Sequence, residues 1–292
     1  MNVVALRTPS ALTLLRLGRV SNLPTVWTNV IAGATIVNPA ASITDLVTIG
    51  LSMTSFYVGG MYLNDYFDRD IDARERPGRP IHSGEIGAGT VSAIGFALLA
   101  LGAFLLLPFG LLSVILGLAL AGAILLYDAW HKGNTIAPVI MGLCRALVYL
   151  ATGAAIGGDV RLPLIAGAIA LTAHVVGLTY AAKQENLNEV GHLWPLAILA
   201  LPLLLALPGL SSGWAVMLAA LLLSVADVFA VRLLATRVAP GAVPRAVSML
   251  IAAICLVDAL AVSLYGGSAL LVILCVGGYV MTRLFQAFIP GT

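Results

Sequence analysis

The chain has 292 residues, of which 60% are hydrophobic and only 10% are charged, and its mean hydropathy is +1.04. Soluble globular domains have about 25% charged residues, so the composition excludes an ordinary soluble protein and indicates an integral membrane protein. The net charge of +2 is small and gives no reason to expect a nucleic-acid partner.

Apolar stretches close to the length that crosses a bilayer, about 20 residues, recur along the whole chain. They carry the Gly and Ala that let helices pack closely in lipid, and none shows the alternation of a membrane β-strand. Before them, residues 5–19 place arginines among leucines, which is typical of an amphipathic helix at the membrane surface. The predicted spans are 22–38, 44–66, 89–107, 110–128, 136–156, 162–182, 193–210, 213–235, 245–265 and 268–287.

These patterns predict an all-α integral membrane protein. Residues 1–292 are expected to form a single domain, because no linker or low-complexity segment divides them. Pro202 and Pro208 interrupt the span at 193–210, so nine spans are possible as well as ten. The N-terminus lacks a short apolar core followed by a small-residue cleavage site, so the first span is expected to act as the insertion signal.

Basic residues gather on one side of the predicted membrane. If the N-terminus lies on that side, its loops fall near 67–88, 129–135, 183–192 and 236–244, and with the chain ends they hold 13 of the 15 Lys and Arg residues. The positive-inside rule makes this side cytoplasmic, which predicts a multi-pass protein of the cytoplasmic membrane. The rule does not require acids there, yet the same side also holds Asp65, Asp68, Asp70, Asp72, Glu75, Glu85, Asp128, Glu185 and Glu189.

A regular acidic pattern lies at the end of the second span. Asn64, Asp68 and Asp72 are spaced i, i+4 and i+8, so they share one face if the helix continues to Asp72. Like charges at this spacing repel by about 0.2–0.5 kcal/mol per pair, so a cation is expected to compensate them. Oxygen ligands without His or Cys favour a hard ion such as Mg2+, which often bridges carboxylates to substrate phosphates.

Three arginines follow the acidic pattern, at Arg74, Arg76 and Arg79. Guanidinium groups bind phosphate through paired hydrogen bonds, which suits an anion with several negative charges. Charge runs are more often solvated loops with surface salt bridges. Here the regular spacing, the asparagine that starts it and the Arg79-Pro80 pair that ends it favour a functional site.

These motifs carry a family resemblance. NxxxDxxxD at 64–72, followed by RPIxSG at 79–84, resembles the first aspartate-rich motif of the UbiA superfamily of intramembrane prenyltransferases, which includes the 4-hydroxybenzoate polyprenyltransferases. RxxNLP at 19–24 is similar to the entry segment of that family, and the turn at 127–132 lies where the family places basic phosphate-binding residues. The resemblance extends over most of the chain, and the first motif is its specific part.

The resemblance implies a bundle of about nine helices around a central cavity, with two acidic motifs facing each other at its cytoplasmic mouth. Mg2+ between them would bind the diphosphate of an isoprenyl donor whose tail lies in an apolar cavity open to lipid. The allylic carbon–oxygen bond would ionise, and a small electron-rich acceptor, expected to be aromatic, would capture the carbocation. The implied catalytic residues are Asp68, Asp72, Lys132 and Arg145, and the implied diphosphate-binding residues are Arg19, Asn22, Arg74, Arg79, Tyr127, Lys132 and Lys183.

The second motif departs from the family pattern, which is commonly DxxxD after the sixth span. Glu185 and Glu189 preserve a carboxylate pair at i, i+4. The predicted metal ligands are therefore Asn64, Asp68, Asp72, Glu185 and Glu189. Another register would place Gln184 and Asn188 at the motif positions and leave neutral oxygen ligands.

Several ionisable residues lie inside apolar spans. Arg145 is well within the fifth span, where an arginine costs about 2.5–3.5 kcal/mol on insertion scales unless it faces a cavity or a partner. Contact with diphosphate or an acceptor carboxylate, and a buried pair with an acid, are both compatible with the sequence. Asp227 and Asp258 are expected to make interhelical hydrogen bonds or to pair with Arg145.

Two other functions are compatible with these features. A UbiA-type terpene cyclase would act on a prenyl diphosphate without an acceptor, and the altered second motif keeps that alternative open. A transporter or lipid carrier would use Arg145, Asp227 and Asp258 as a charge relay, but no inverted repeat is visible and the charges gather at one membrane face. The sequence leaves the acceptor, the prenyl chain length and the oligomeric state undefined.

Overall fold

The computed structural model describes residues 9–183, 192–236, 241–289 and 291, and these residues form helices and turns without any β-strand. The predicted all-α fold is therefore confirmed. The helices are α1 (Ala11–Leu17), α2 (Leu23–Val37), α3 (Ile43–Phe67), α4 (Arg69–Glu75), α5 (Ala88–Leu105), α6 (Leu111–Trp130), α7 (Ala137–Gly157), α8 (Leu162–Lys183), α9 (Leu201–Ala206), α10 (Trp214–Thr236), α11 (Ala242–Leu264) and α12 (Ala269–Phe285).

Every predicted span coincides with a helical stretch. Within the described ranges, eight helical stretches are long and apolar enough to cross a membrane, and the protein is a multi-pass membrane protein. The two shorter stretches at predicted spans are α2, with 15 residues, and α12, with 17. Large apolar side chains such as Phe104, Leu111 and Leu270 are exposed on the outside of the bundle, as a lipid environment requires.

The seventh span differs from a regular helix. Trp194–Ser212 consists of α9 between two 3-10 segments, and Pro195, Pro202 and Pro208 lie in the first turns of these three pieces. Proline has no backbone N–H and clashes with the preceding turn, so the chain restarts a helix at each proline. The result is one crossing built from short helical pieces.

The N-terminal helix is shorter than predicted. The side chain of Ser10 caps α1 by accepting from the amide of Thr13 at 3.1 Å, and α1 ends at Leu17 rather than at residue 19. Residues 1–8 lie outside the described part of the chain. After α1 the chain turns at Gly18 and Arg19 and continues through the short 3-10 turn Val20–Asn22 into α2.

Two large apolar clusters, with a smaller third one where α1, α3 and α5 meet, hold the described part of the bundle together. One is built mainly from α8, α10 and α11, and the other mainly from α2, α3, α6 and α7. Helices α3 and α5 pack closely at Gly59, where an added Cβ would lie 2.9 Å from the carbonyl oxygen of Gly95. This contact between two backbones fixes α3, the helix that ends in the acidic pattern.

Described parts of several segments that the charge pattern assigned to one side of the membrane meet at one end of the bundle. Asn22, at the start of α2, donates to the carbonyl oxygen of Gly291 at 3.0 Å. Lys183, at the end of α8, donates to the carbonyl oxygen of Asn134 between α6 and α7. The ends of these helices therefore surround a common space.

Candidate active site

A cavity of about 280 Å3 opens at this end of the bundle, between the ends of α3, α6 and α8 and the sides of α7 and α11. Its mouth is polar and strongly charged, whereas its inner wall is apolar. The polar lining residues include Arg19, Asn22, Asn64, Asp68, Arg76, Arg79, Tyr127, His131, Lys132, Arg145, Thr179 and Lys183, and the apolar ones include Met61, Met141, Val175, Leu178, Val247, Ile251 and Ile254.

The structure brings most of the predicted diphosphate-binding residues to this cavity, namely Arg19, Asn22, Arg79, Tyr127, Lys132 and Lys183. Arg74 is the exception: it is exposed on α4 and does not line the cavity. Arg76, which follows the last turn of α4, takes a place in the lining instead.

The acidic pattern continues the course of α3. Although α3 ends at Phe67 and α4 begins at Arg69, the amides of Asp68 and Asp72 each bond to the carbonyl four residues earlier, at 2.9 Å. The predicted i, i+4, i+8 spacing therefore holds in three dimensions. Asn64, Asp68 and Asp72 are 6%, 5% and 2% exposed, but only Asn64 and Asp68 line the cavity.

Arginines neutralise the acidic pattern. Nη1 of Arg79 lies 2.7 Å from an Asp72 oxygen and 2.8 Å from an Asp65 oxygen. Nη2 of Arg19 donates to Oδ1 of Asn64 at 3.2 Å and lies 3.5 Å from Asp65. Asp65, to which the sequence analysis gave no role, is thus the carboxylate where both arginines meet.

Asp68 faces a different pair of cations. Its Oδ2 lies 3.5 Å from Nε2 of His131 and 3.7 Å from Nζ of Lys132. Burial by itself raises the pKa of Asp68, but the hydrogen bond and charge of His131, with the charges of Lys132 and Arg79, outweigh it, so the pKa lies below its ordinary value. The Asp68 carboxylate is therefore ionised at neutral pH and available to a cation.

Arg19 has a strained backbone. Its φ of 42° lies in the left-handed region, which costs a residue other than glycine about 1–2 kcal/mol. The hydroxyl of Tyr57 donates to the carbonyl oxygen of Arg19 at 3.2 Å and helps to hold this conformation. Such strain persists where the surroundings enforce it, and it is common at functional sites.

Arg145 faces the cavity and is hydrogen-bonded to neutral groups. Nη1 donates to Oδ1 of Asn29 at 2.8 Å and Nη2 to the hydroxyl of Thr25 at 3.0 Å, and the guanidinium lies 5.7 Å from the Tyr57 ring centroid. No carboxylate in the described ranges forms an ion pair with it. Of the two alternatives left open by the sequence, the geometry favours contact with an anion in the cavity.

Asp258 orders the helices behind Arg145. This fully buried carboxylate accepts hydrogen bonds from Thr28 at 2.5 Å, from Asn29 at 2.8 and 2.9 Å, and from Tyr149 at 2.5 Å. It therefore makes the interhelical hydrogen bonds that the sequence indicated, linking α11 to α2 and α7. The side chain of Asn29 bonds to both Asp258 and Arg145, so it lies between the two charges and they are not in contact.

Asp227 lies elsewhere. It is on α10, 3.9 Å from Nδ1 of His174, and it does not line the site cavity. The nitrogen Nε2 of the same histidine lies 2.9 Å from the carbonyl oxygen of Leu250. Asp227 is therefore not a partner of Arg145.

The lining that α8 contributes to the cavity includes Lys183, the last described residue of that helix. The predicted ligands Glu185 and Glu189, and the alternatives Gln184 and Asn188, lie outside the described residues. Across the ranges that are described, no group of three or more His, Cys, Asp or Glu side chains is arranged to hold a metal ion. The donors at the cavity still fit a hard cation chemically, because Asn64 and Asp68 supply buried amide and carboxylate oxygens.

Several site residues were missed by the sequence analysis. Asp65 follows Asn64 directly, and Asp128 follows Tyr127 at the end of an apolar span, so both could have been found by their position beside predicted ligands. Thr25 and Asn29 are polar residues at i, i+4 in an apolar span, a spacing that predicts a common polar face. Their partner was not predictable, because Arg145 is 116 residues from Asn29 in the sequence.

Comparison with known proteins identifies the family. Residues 21–240 match the UbiA prenyltransferase family, and the chain belongs to it. It is 42% identical over 102 residues to the digeranylgeranylglyceryl phosphate synthase of Ignicoccus hospitalis, which covers 34% of this chain and 32% of that protein. It is 28% identical over 105 residues to the protoheme IX farnesyltransferase of Macrococcus caseolyticus, covering 35% and 34%. The chain thus aligns with about a third of the length of these two relatives.

Solved structures show the same fold. A UbiA homolog from Aeropyrum pernix K1 matches with a TM-score of 0.67 at 16% identity, covering 84% of this chain and 97% of that one. A UbiA homolog from Archaeoglobus fulgidus, solved with GPP and Mg2+ bound, matches with a TM-score of 0.54 at 16% identity, covering 94% and 97%.

Proposed function

We propose that this protein is a Mg2+-dependent prenyltransferase that moves an isoprenyl group from a prenyl diphosphate to a small, aromatic acceptor within the membrane. The observation that carries the proposal is the cavity, in which Asn64 and Asp68 meet Arg19, Arg79 and Lys132 above an apolar wall. Membership of the UbiA prenyltransferase family supports the reaction class. The homolog solved with GPP and Mg2+ supports the donor class and the metal.

The metal would be held by Asn64, Asp68 and Asp72, with Glu185 and Glu189 as the proposed ligands from the opposite wall. When bound, Mg2+ would supply positive charge that stabilises the leaving diphosphate. Oδ2 of Asp72 is bonded to Arg79, so this oxygen would become available only if that arginine moved toward a new anion.

The basic residues of this chain would bind the diphosphate. Arg19, Arg79 and Lys132 lie around the mouth of the cavity, and Lys183 lies on its opposite wall. Guanidinium and ammonium groups placed where negative charge develops lower the barrier to loss of diphosphate. Heterolysis leaves the bonding electron pair on the diphosphate, the acceptor then supplies an electron pair to the allylic carbon, and the acceptor loses a proton.

The apolar inner wall would take the isoprenyl tail. Met61, Val247, Ile251 and Ile254 line it, and such a surface excludes the water that would otherwise capture the carbocation. The face of an aromatic ring attracts positive charge, and Tyr57 and Tyr127 both line the cavity. Arg145 is the proposed anchor for an anionic group at the inner end.

The proposed location is the cytoplasmic membrane, with the acidic pattern facing the cytoplasm and residues 1–292 acting as one prenyltransferase domain. The support for this orientation is the gathering of basic residues in the predicted loops of one side, of which Arg76, Arg79, Lys132 and Lys183 line the cavity. Membrane lipids would surround the bundle and admit the donor tail.

The test is incubation of the purified protein in liposomes with labelled geranyl, farnesyl and longer diphosphates, with Mg2+ or with a chelator, against a panel of acceptors. Mass detection should show a prenylated acceptor and diphosphate release that depends on both Mg2+ and the acceptor. Diphosphate release with a cyclised hydrocarbon and no acceptor would instead support the cyclase alternative. No release with any donor would contradict the enzyme proposal.

A further inference from the structure

We propose that Asp128, which lies outside the NxxxDxxxD pattern, is a positioning residue of the metal site. It acts through Asn64, whose amide group it holds so that the oxygen faces the cavity. The inference rests on the proposed function, because it assumes that Asn64 is a metal ligand.

The contact joins two helices. Nδ2 of Asn64, near the end of α3, donates to Oδ1 of Asp128 near the end of α6, at 3.1 Å. The two residues are 6% and 5% exposed. A hydrogen bond to a carboxylate in such a buried place is stronger than one between neutral groups.

The chemistry of the neighbours fixes the orientation of the Asn64 amide. A carboxylate only accepts hydrogen bonds, so Asp128 must face the NH2 group. A guanidinium only donates, so Arg19, 3.2 Å away on the other side, must face the oxygen. Both neighbours therefore turn the oxygen, the atom that can ligate a cation, toward the cavity mouth.

Outer-shell partners of this kind orient ligands and tune metal sites. Their loss costs about 10- to 100-fold in metal affinity or activity in known sites. If the Asn64 amide were rotated, it would present its NH2 group to the cation, and an NH2 group of an amide does not ligate a cation.

The second oxygen of Asp128 argues against a purely structural tether. Oδ2 is buried and has no hydrogen-bond partner among the described residues. It belongs to a side chain that lines a small apolar cavity of about 80 Å3 beneath the mouth, next to Tyr127 and Arg145. An unpaired buried carboxylate oxygen costs stability, so a tether alone would be better served by a neutral side chain.

The protein offers a matched control in Asp227. This aspartate is also buried, with 7% of its surface exposed, and neither of its carboxylate oxygens has a hydrogen-bond partner among the described residues. It lies on α10, 3.9 Å from Nδ1 of His174 and outside the site cavity. Changing Asp227 to Asn removes a buried carboxylate in the same way without touching Asn64.

The test uses the purified full chain in detergent and follows Mn2+, as a paramagnetic substitute for Mg2+, by electron paramagnetic resonance in the presence of geranyl S-thiolodiphosphate. We expect Asp128→Asn to raise the Mn2+ dissociation constant about 10- to 100-fold, while Asp227→Asn leaves it unchanged. Melting temperatures of both variants report whether they fold. If Asp128→Asn does not fold, Asp128→Glu, which keeps the charge but displaces the oxygen, replaces it and should also weaken Mn2+ binding.

The exchanged double variant Asn64→Asp/Asp128→Asn distinguishes positioning from packing. Its Asn at 128 can donate to the Asp at 64, so we expect it to recover most of the Mn2+ affinity lost in Asp128→Asn. Equal Mn2+ affinity in the unchanged protein and Asp128→Asn would overturn the role of Asp128 alone, and so would an absence of recovery in the exchanged variant. Failure of the unchanged protein to bind Mn2+ would overturn the metal assignment itself.

Discussion

The guanidinium of Arg79 is bonded to the carboxylate of Asp72, with 2.7 Å between Nη1 and Oδ2. From the sequence, these residues were expected to bind different ligands, the arginine a diphosphate and the aspartate a metal ion. In the structure each charge compensates the other, as Lys132 also does for Asp68 at 3.7 Å. A diphosphate is an anion that can take the place of Asp72 beside Arg79, and its metal ion is a cation that can take the place of Arg79 beside Asp72. Binding of the two together would therefore give both residues new partners.

Replacement of Arg79 by Ala should therefore damage both stability and donor binding. It leaves Asp72, whose side chain is 3% exposed, without its cation, and removal of one partner from a buried pair costs about 3 kcal/mol. We expect a lower melting temperature and a KM for prenyl diphosphate that is about tenfold higher. Arg69→Ala is the control, because Arg69 pairs with exposed Asp70 at 3.8 Å. Equal effects of the two substitutions would argue against a special role for Arg79.

Prenyl chain length should respond to bulk on the inner wall. Ile251, on α11, lines the cavity. A Trp at this position would fill space that a long prenyl tail needs, and overpacking of this kind costs about 1–3 kcal/mol. Ile251→Trp should lower kcat/KM for geranylgeranyl diphosphate about tenfold more than for dimethylallyl diphosphate. Ile273→Trp, at a position on α12 that is 64% exposed, should leave the ratio unchanged. An unchanged ratio in Ile251→Trp would place the tail elsewhere.

The two registers of the second motif give different outcomes. If Glu185 and Glu189 bind metal, the double Ala variant at these positions should lower Mg2+-dependent turnover strongly, and the Gln184/Asn188 double Ala variant should not. A carboxylate contributes charge as well as an oxygen atom to a divalent ion, which is the reason to expect the first result. The reverse pattern would assign Gln184 and Asn188 as the metal ligands. The measurement for each variant is diphosphate release as a function of Mg2+ concentration.

The docking of α1 should depend on pH through Glu85. Oε2 of Glu85 accepts from the Thr13 hydroxyl at 2.5 Å, and Oε1 accepts from Ser83 at 3.0 Å. These two hydrogen bonds, of which the one from Thr13 contributes most, lower the pKa of Glu85 below its ordinary value. A lowered pKa means that the stabilisation is complete above the pKa of the unfolded chain and is lost as the pH falls through the folded value.

Hydrogen exchange of the α1 amides, corrected for intrinsic rates, checks this expectation. Protection should be constant from about pH 7 to 5 and should fall below the ordinary glutamate pKa. Thr13→Val should exchange faster at neutral pH and show a smaller fall. A pH profile that is identical in both proteins would show that the contact does not hold α1.

The sequence predicted the helices well, because each span is a long apolar stretch in a chain that must satisfy its backbone in lipid. It predicted the face shared by Asn64, Asp68 and Asp72 for the same local reason. It did not predict the short helical pieces of Trp194–Ser212, although Pro202 and Pro208, two of the three prolines that cause them, were noted.

Contacts between side chains on different helices could not be predicted from local sequence patterns. The bonds from Asn64 to Asp128 and from Arg145 to Asn29 depend on how α2, α3, α6 and α7 pack, and this packing is set by contacts across the whole bundle. Arg74 illustrates the same limit on a shorter scale. It is five residues before Arg79 in the sequence, but it is exposed on α4, whereas Arg76 and Arg79, which follow the end of that helix, line the cavity.

The most direct measurement is metal-dependent release of diphosphate from a labelled prenyl diphosphate by Asp68→Ala in liposomes. Asp68 lines the cavity beside Lys132 and His131, and its carboxylate is the proposed link between the metal and the donor. We expect release to fall to background while the melting curve still shows a folded bundle. Release equal to that of the unchanged protein would contradict the metal site and the mechanism built on it.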